Sequence, residues 1–332
     1  MEAIVQGLRD KQAWAKIIGR APAFLNAIAK LPAIAKSDAA VLISGETGTG
    51  KELVARAIHY SSNRAACPFI AINCGSVPDL LLESELFGHE RGAFTDAHAR
   101  KRGLIEEAKT GTMFLDEVDS LSPKAQVSLL RVLQEKQFRP LGSTLDHSAD
   151  VRIVAATNAF LKQMVGLGSF RVDLYYRLSV FTISLPPLRE RREDILPLAE
   201  HFLKKHAPPL KTGIALSASA LAALVAYEWP GNVRELENAI IRGVHLTEEA
   251  TIDMEHLGLL DTLLNESATA NSFQAAKRLA VDTFERNYLV WIMSEHHGNV
   301  SHAAQAAGKE RRDLGKLLKK HGLGAKEFRE GG

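Results

Sequence analysis

Residues 41–52 read VLISGETGTGKE, and this stretch decides how the rest of the chain is interpreted. Its apolar start predicts a buried strand over residues 41–44, and the residues after it predict a helix over 52–61. The glycine-rich loop between them ends in Lys51. Glycines let backbone N–H groups turn inward around phosphate, a helix N-terminus attracts anions, and a lysine neutralises phosphate oxygens. The segment therefore predicts a phosphate-binding loop.

The alternation of strand and helix continues to about residue 190. Apolar runs predict strands over residues 69–72, 112–115, 151–156 and 181–185, and amphipathic runs predict helices over 80–87 and 122–134. Such alternation is typical of an α/β domain, a parallel sheet with helices on both faces. Beyond residue 190 the strand signal vanishes, and helices are predicted over 194–205, 217–226 and 233–246.

A pair of carboxylates follows the third predicted strand. Asp116 and Glu117 come directly after the apolar run that begins at Thr112. In a parallel sheet this pair suits a phosphate loop, because one carboxylate can hold Mg²⁺ and the other can polarise the attacking water. ATP hydrolysis with Mg²⁺ is the leading hypothesis. A strict phosphate loop carries Ser or Thr after the lysine, where this chain has Glu52.

The composition is that of an ordinary globular protein. The 332 residues are 46% hydrophobic and 24% charged, which excludes a disordered chain, a collagen and a coiled coil. Two cysteines, Cys67 and Cys74, cannot build a disulfide framework, and we expect both to be buried and inert. No apolar run approaches the roughly 20 residues of a membrane helix, and the N-terminus does not resemble a signal peptide. We expect a cytoplasmic protein without membrane insertion.

Six stretches carry a family resemblance. GETGTGKELVARAIH, ELFGHERGAFTDA, GTMFLDEVDSL, FRVDLYYRL, LPPLRERREDI and WPGNVRELEN resemble the AAA+ domain of bacterial enhancer-binding proteins, which activate sigma-54 RNA polymerase. The likeness runs from about residue 19 to 246. It implies an AAA+ P-loop ATPase subdomain over residues 19–188 and a helical lid subdomain over 189–260, after a short leader over 1–18. It also explains Glu52, since a glutamate is usual at that position in the family.

The resemblance implies roles for the matching residues. Asp116 with Glu117 matches the Walker B pair, with Asp116 on the metal, and Asn73 matches a switch asparagine that senses the γ-phosphate through Glu117. Arg171 and Arg177 match arginine fingers, which act across a hexameric ring. Thr157 and Asn158 match sensor I, Arg234 matches sensor II, and Asn232 is expected to cap its helix. The implied nucleotide-binding set is Gly45, Glu46, Thr47, Gly48, Thr49, Gly50, Lys51, Glu52, Asn158 and Arg234.

A further match is the signature loop that contacts sigma-54. It comprises Gly92, Ala93, Phe94, Thr95, Asp96 and Ala97. Because it interrupts a helix, we expect an exposed projection with Phe94 as its anchor. A second loop at residues 120–123 is expected beside it. Asp96 stands where the family usually has glycine, which leaves open a DNA-binding regulator of the same fold that no longer contacts sigma-54. An AAA+ unfoldase is a weaker alternative, because it would need an aromatic–glycine pore loop.

The C-terminal part predicts a DNA-binding module. Residues 261–272 are small and polar and predict a linker, and a long helix is expected from 273 to about 297. GNVSHAAQAAGKERRDLGKLLKKHGL resembles the Fis-type helix-turn-helix, so the module spans 273–332. Residues 298–322 contain six Lys and Arg against two acids, whereas the whole chain has a net charge of only +2. The expected DNA contacts are Ser301, Arg311 and Arg312, with Lys316, Lys319 and Lys320 on phosphates.

The expected partners follow from the resemblance. They are the sigma-54 RNA polymerase holoenzyme, double-stranded enhancer DNA and further copies of this chain. Only about 18 residues precede the likeness. The chain thus resembles the phage-shock-protein activator type, which lacks an N-terminal sensory domain, and we expect control by a regulatory protein in trans.

Overall fold

The computed structural model describes most of the chain. It covers residues 17–94, 97–208, 213–247 and 250–259, and in the C-terminal part residues 285, 288–290, 292, 293, 295, 296, 298–321, 323 and 324. The chain divides into two compact units. The first comprises residues up to Ala199 together with Trp229–Leu236, and the second comprises Glu200–Glu228 and the residues from Glu237 onward. Within the described residues, no helix is long and apolar enough to cross a membrane.

The first unit is built on a parallel sheet, as predicted. Its strands in chain order are β1 Val41–Ser44, β2 Phe69–Asn73, β3 Thr112–Asp116, β4 Gln137–Phe138, β5 His147–Ser148, β6 Arg152–Thr157 and β7 Phe181–Ser184. Five of them form the sheet in the order β2-β3-β6-β1-β7, all parallel. Strands β4 and β5 form a separate antiparallel hairpin, which the sequence patterns did not reveal.

Helices cover both faces of this sheet. They are α1 Pro22–Ile28, α2 Leu31–Ala35, α3 Lys51–Tyr60, α4 Asp79–Phe87, α5 Leu104–Glu107, α6 Pro123–Glu135, α7 Leu161–Gly166 and α8 Val172–Leu178. Along β3, Met113 and Leu115 join one hydrophobic cluster while Phe114 joins the other, as expected for a strand buried on both faces. Ser122 begins α6 by accepting a hydrogen bond from the Ala125 N–H at 3.1 Å.

The second unit is mainly helical. The helices whose bounds the described residues define are α9 Ile195–His206, α10 Ala218–Ala226, α11 Asn232–Leu246, α12 Val300–Ala306 and α13 Arg311–Lys320. The N-terminal ends of α9 and α11 belong to the first unit. The prediction that strands end near residue 190 is wrong in one detail. Strands β8 Ala215–Leu216 and β9 Thr251–Ile252 pair in parallel. The sequence did not predict them because two residues are too few to produce an alternating pattern.

The C-terminal helices pack on a small core of their own. A glycine in the left-handed conformation, Gly308 with φ +61°, lies in the turn between α12 and α13. Buried side chains of both helices pack against apolar residues that precede residue 294. The cluster consists of Leu289, Ile292 and Met293, of Ala303 and Ala304 from α12, and of Leu314 and Leu318 from α13. The predicted linker at 261–272 and most of the predicted helix from 273 to 297 lie outside the described residues.

Candidate nucleotide-binding site

The predicted phosphate loop connects β1 to α3. Gly48 and Gly50 have φ values of +81° and +102°, which glycine adopts without the strain that a side chain would add. A Cβ on Gly48 would lie only 2.3 Å from the carbonyl oxygen of Gly231. Lys51 is 8% exposed, and its Nζ donates to the carbonyl oxygens of Gly45 at 2.9 Å and Glu46 at 3.2 Å. The loop thus has the backbone conformation and the cation that phosphate recognition requires.

Electrostatics favour an anion at this loop. Burial lowers the pKa of Lys51, and the carboxylates of Asp116, Glu117 and Asp119 act in the opposite direction. Burying an ammonium is costly unless negative charge lies nearby. A phosphate group would add such charge, so it would stabilise the protonated lysine.

Three predicted site residues lie together at the carboxyl edge of the sheet. Asn73 ends β2 in register with Asp116, which ends β3. The Asp116 carboxylate accepts a hydrogen bond from the Glu117 N–H at 3.0 Å. The Asn73 side-chain oxygen accepts from the Gly75 N–H at 2.8 Å, and a Cβ on Gly75 would lie 2.3 Å from the Glu117 carboxylate. Asn73 and Glu117 therefore border the same glycine.

The predicted sensor I residues lie beside the phosphate loop. Strand β6 separates β1 from β3, so its carboxyl end lies between the loop and the two acids. The Asn158 side-chain amide donates to the Thr47 hydroxyl at 3.2 Å, and the Thr157 carbonyl accepts from the Gly45 N–H at 3.2 Å. The structure thus places Asn158 where a side chain can contact a nucleotide held by the loop.

Asn232 has a different role from the one predicted. It is fully buried with a φ of +55°, and its side-chain oxygen accepts from the Leu188 N–H at 2.7 Å. Its amide donates to the Glu46 carboxylate at 3.1 Å and to the Thr47 carbonyl at 3.0 Å. The helix-cap prediction is therefore wrong, because these bonds tie Asn232 to the phosphate loop.

Two arginines also support the loop, and sequence reasoning missed both. Arg189 pairs with the Glu46 carboxylate, at 2.8 Å for one of the two contacts, and this bond lowers the pKa of Glu46. Arg191 donates to the Thr49 carbonyl at 2.9 Å. Burial lowers the pKa of Arg191 to about 10. Both lie in the stretch LPPLRERREDI, which contains several charged residues, and the sequence does not indicate which groups these two arginines bind.

Two other predicted nucleotide contacts occupy the edge of the site. The Cβ of Arg234 lies 3.2 Å from the position of a Cβ on Gly48, so its exposed side chain starts beside the loop. Glu52 forms an ion pair with Arg56 at 2.7 Å on the surface of α3. This pair turns Glu52 toward its own helix.

The two predicted arginine fingers differ in their surroundings. Arg171 forms an exposed bidentate pair with Asp173, at 3.0 and 2.7 Å. Arg177 is exposed on α8, and the ion pairs formed within the described residues do not include it. Val172 and Tyr176 are exposed on the same helix. This surface combines an exposed cation with exposed apolar side chains.

The predicted sigma-54 loop leaves the body of the unit after α4. Its base is closed by an antiparallel bridge between His89 and Lys101, with N–H···O distances of 3.0 and 2.9 Å. The Phe94 side chain is 38% exposed, and its ring meets the His89 ring edge-on with 4.9 Å between centroids. The prediction of an exposed Phe94 agrees with this geometry. Thr95 and Asp96 lie outside the described residues.

The neighbour of this loop is not the one predicted. Leu141 in the β4–β5 hairpin donates to the Gly88 carbonyl and accepts from the Glu90 N–H, both at 2.9 Å. The loop predicted at 120–123 instead contacts α4, where the Ser122 hydroxyl lies 3.3 Å from the Glu83 carboxylate. The hairpin was missed because its strands have only two residues each.

The expected DNA contacts are exposed side chains of the C-terminal helices. Ser301, Arg311 and Arg312 are exposed. Lys316 pairs with Asp313 at 3.1 Å, and Lys320 pairs with Glu285 at 2.8 Å, whereas Lys319 is exposed without such a pair among the described residues. Of the three lysines, Lys319 has the charge that is least compensated.

Comparison with known proteins agrees with this geometry. Residues 17–184 match the Sigma-54 interaction domain, and residues 189–276 match an AAA+ ATPase lid domain. The chain is 46% identical over 316 residues to the transcriptional regulatory protein GlrR of Escherichia coli K12, covering 95% of this chain and 70% of GlrR. It is 42% identical over 323 residues to the regulatory protein AtoC of the same organism, covering 96% of this chain and 70% of AtoC.

A solved structure extends the likeness to the fold. NtrX from Brucella abortus, crystallised in complex with ATP, is 35% identical with a TM-score of 0.72, over 93% of this chain and 70% of that one. The sheet, the phosphate loop and the acidic pair define a nucleotide-binding AAA+ ATPase with a lid domain. Within that class, the chain belongs to the family of sigma-54-dependent transcriptional regulators.

Proposed function

We propose that the protein is an ATP-hydrolysing transcription activator that binds upstream enhancer DNA and remodels sigma-54 RNA polymerase from the closed to the open promoter complex. The family membership supports the polymerase partner. The domain boundaries at 18/19, 188/189, 260/261 and 272/273 stay part of this proposal.

The site fits a nucleotide with a divalent cation. The cradle at Gly48 has no room for a side chain, and Lys51 is held at its rim. Asp116 would hold Mg²⁺, which neutralises phosphate charge when bound, and Glu117 would accept the proton of the attacking water. Asn158 and Arg234 would contact the nucleotide from either side of the loop. These residues would orient ATP and stabilise the charge that develops on the transferred phosphoryl group.

The observation that carries the proposal is a series of contacts that leads from Glu117, at the edge of the sheet, to Phe94 in the predicted sigma-54 loop. The turn after Glu117 leads to Ser122 at the start of α6, and Ser122 bonds to Glu83 of α4. Glu83 is 4% exposed and also pairs with Lys124 at 2.8 Å. The adjacent Ser84 lies 2.7 Å from His89 Nδ1, and His89 packs against Phe94. A nucleotide-dependent shift of the turn would thus reach the loop that we assign to sigma-54.

The arginine pattern supports a ring. A transition state with spread negative charge is stabilised by an arginine, which can come from the same chain or from a neighbouring one. Arg177 is available for that task because it is exposed without an ion pair among the described residues, whereas Asp173 holds Arg171. The exposed Val172 and Tyr176 beside it would be covered by a second copy.

The C-terminal helices support binding to DNA. Helix α12, the glycine turn and the basic α13 have the order and lengths of a helix-turn-helix. Arg311 and Arg312 lie at the start of α13, where the second helix of such a motif contacts base edges. Lys316, Lys319 and Lys320 follow on the same helix and suit phosphates.

Mixing two defective variants tests the proposal. Lys51→Ala removes the loop cation, and Arg177→Ala removes the finger, so each alone should lose nearly all ATPase activity. If the finger acts across an interface, a mixture restores activity, because an intact site of one copy meets an intact finger of another. Arg192→Ala, an exposed arginine outside α8, is the matched control. Full activity of Arg177→Ala, or a wild-type chain without ATPase activity at any concentration, would contradict the proposal.

A further inference from the structure

A third carboxylate, that of Asp119, lies close to the acidic pair of the candidate nucleotide-binding site. Asp119 lies in the 3₁₀ turn Val118–Ser120, directly after the acidic pair. The hydroxyl of Thr157, the last residue of β6, donates to its carboxylate at 2.5 Å. Thr157 is 1% exposed and Asp119 is half-buried, so this hydrogen bond is partly shielded from water, which strengthens it relative to the same bond on the surface. The bond joins the turn after β3 to the end of the neighbouring strand.

Thr157 is also anchored to the phosphate loop. Its carbonyl oxygen accepts from the Gly45 N–H, and its hydroxyl oxygen accepts from the Ala159 N–H at 3.0 Å. The next residue, Asn158, donates to Thr47. Thr157 therefore connects two parts of the site, the phosphate loop through its backbone and the acidic turn through its side chain.

The acidic turn needs such an anchor. Glu117 has a φ of +53°, a left-handed conformation that costs a residue with a side chain about 1 kcal/mol. Such conformations persist only where the surrounding contacts impose them. Within the turn, the Ser120 N–H donates to the Glu117 carbonyl at 2.9 Å and the Leu121 N–H to the Val118 carbonyl at 3.3 Å. These bonds are local, whereas the Asp119–Thr157 bond ties the turn to the sheet.

We propose that Asp119 is a positioning residue for ATP hydrolysis: by accepting the hydrogen bond from Thr157, it holds the turn that directs Glu117 toward the phosphate loop. This inference rests on the proposed ATPase activity. Since Asp119 lies outside the phosphate cradle, loss of the bond should affect the chemical step more than nucleotide binding. A misplacement of about 1 Å can cost about 100-fold in rate, so a partial displacement predicts a fall in kcat of about tenfold.

A second explanation must be separated from this one. Asp119 is one of three carboxylates whose charge acts on Lys51, so its removal also changes the local field. Asp119→Asn discriminates between the two, because the amide oxygen still accepts from Thr157 while the charge is lost. Asp119→Ala removes both the acceptor and the charge. Thr157→Val removes the donor to Asp119 and also the acceptor of the Ala159 N–H, and Thr157→Ser restores both.

The test compares kcat and KM for ATP in these variants and in the double variant Asp119→Ala/Thr157→Val. We expect Asp119→Ala and Thr157→Val each to lower kcat about tenfold with KM within about twofold of wild type, while Asp119→Asn and Thr157→Ser keep most of the activity. The double variant should be no worse than Thr157→Val alone, because that substitution already breaks the bond that Asp119→Ala removes. Asp79→Ala removes an exposed carboxylate of α4 and is the control for loss of charge.

Three results would overturn the inference in an active wild-type enzyme: an unchanged kcat in Asp119→Ala, an Asp119→Asn variant as slow as Asp119→Ala, or multiplied losses in the double variant. Amide hydrogen exchange over residues 117–121 gives a readout independent of turnover. Asp119→Ala and Thr157→Val should speed exchange there, and unchanged exchange would refute the anchor. Absence of ATPase activity in the wild type would instead contradict the proposed function.

Discussion

Replacement of Asn232 is the sharpest test of how the phosphate loop is held. Its side chain is buried and makes three hydrogen bonds to residues far away in the chain: it accepts from the Leu188 N–H and donates to the Glu46 carboxylate and the Thr47 carbonyl. Asn232→Gly removes these bonds but tolerates the φ of +55°. Asn232→Ala removes the bonds and also meets the steric cost of the left-handed conformation.

The expected magnitude follows from these contacts. Without Asn232, the buried Leu188 N–H loses its partner, at a cost of about 1–3 kcal/mol, and each of the other two bonds contributes about 0.5–1.5 kcal/mol. The sum predicts that Asn232→Gly lowers the free energy of unfolding by about 2–6 kcal/mol. Asn232→Ala should cost about 1 kcal/mol more. Release of Glu46 and Thr47 should also weaken nucleotide binding about tenfold, or about 1.4 kcal/mol.

Urea unfolding followed by tryptophan fluorescence measures the first effect, since Trp229 is buried three residues before Asn232. Titration with a fluorescent ADP measures the second. Asn299→Ala is the matched control, because it removes only the N-cap of α12, worth about 1 kcal/mol, and should leave ADP affinity unchanged. The reasoning is refuted if Asn232→Gly unfolds at the wild-type urea concentration, or if its ADP affinity equals that of the wild type.

Further predictions concern the loop support, the contact path and DNA. Arg189 lowers the pKa of Glu46, so ionised Glu46 stabilises the fold above pH 4.5, its ordinary pKa, and this contribution is lost as the pH falls through the lowered pKa. Glu46→Gln should therefore lower Tm at pH 7 but not well below pH 4.5. A difference in Tm that does not depend on pH would contradict this. Glu83→Ala should keep most of the ATPase activity but should no longer form the sigma-54 complex on a native gel. A Glu83→Ala variant that still forms this complex would show that the path through α4 is not required. Lys319→Ala should reduce the salt slope of DNA binding by about one, and Lys320→Ala, whose charge is paired, by less; equal slopes for Lys319→Ala and wild type would exclude that phosphate contact.

Local patterns were sufficient to predict the sheet, the phosphate loop and the acidic pair at its edge. In a strand buried on both faces, a continuous apolar run such as that before Asp116 is a strong signal. Because parallel strands end at the same edge, the acidic pair Asp116 and Glu117 was expected beside the phosphate loop, whereas Asn73 and Asn158 were assigned to the site by the family resemblance. Boundaries moved by about one residue, since the terminal polar residues also join the ladder.

Long-range contacts could not be predicted in this way. Arg189 and Asn232 meet Glu46 across 143 and 186 residues of chain, and a single arginine or asparagine gives no sign of such a partner. The Asn232 prediction failed because an asparagine before a helix is most often a cap. Asp119 was passed over for a related reason: the acidic pair beside it matched a known motif, whereas its bond to Thr157 depends on the pairing of β3 with β6.

The most direct test of the central claim is the binding of sigma-54 on a native gel, with and without ADP–aluminium fluoride. ADP–aluminium fluoride mimics the phosphoryl group in transfer. When bound, it should hold the turn that follows the acidic pair and the loop of residues 88–103 in the state that contacts sigma-54. The account predicts a shifted complex only with the analogue, and its loss in Phe94→Ala while ATPase activity persists. An active ATPase that forms no complex with sigma-54 in the presence of the analogue would contradict the account.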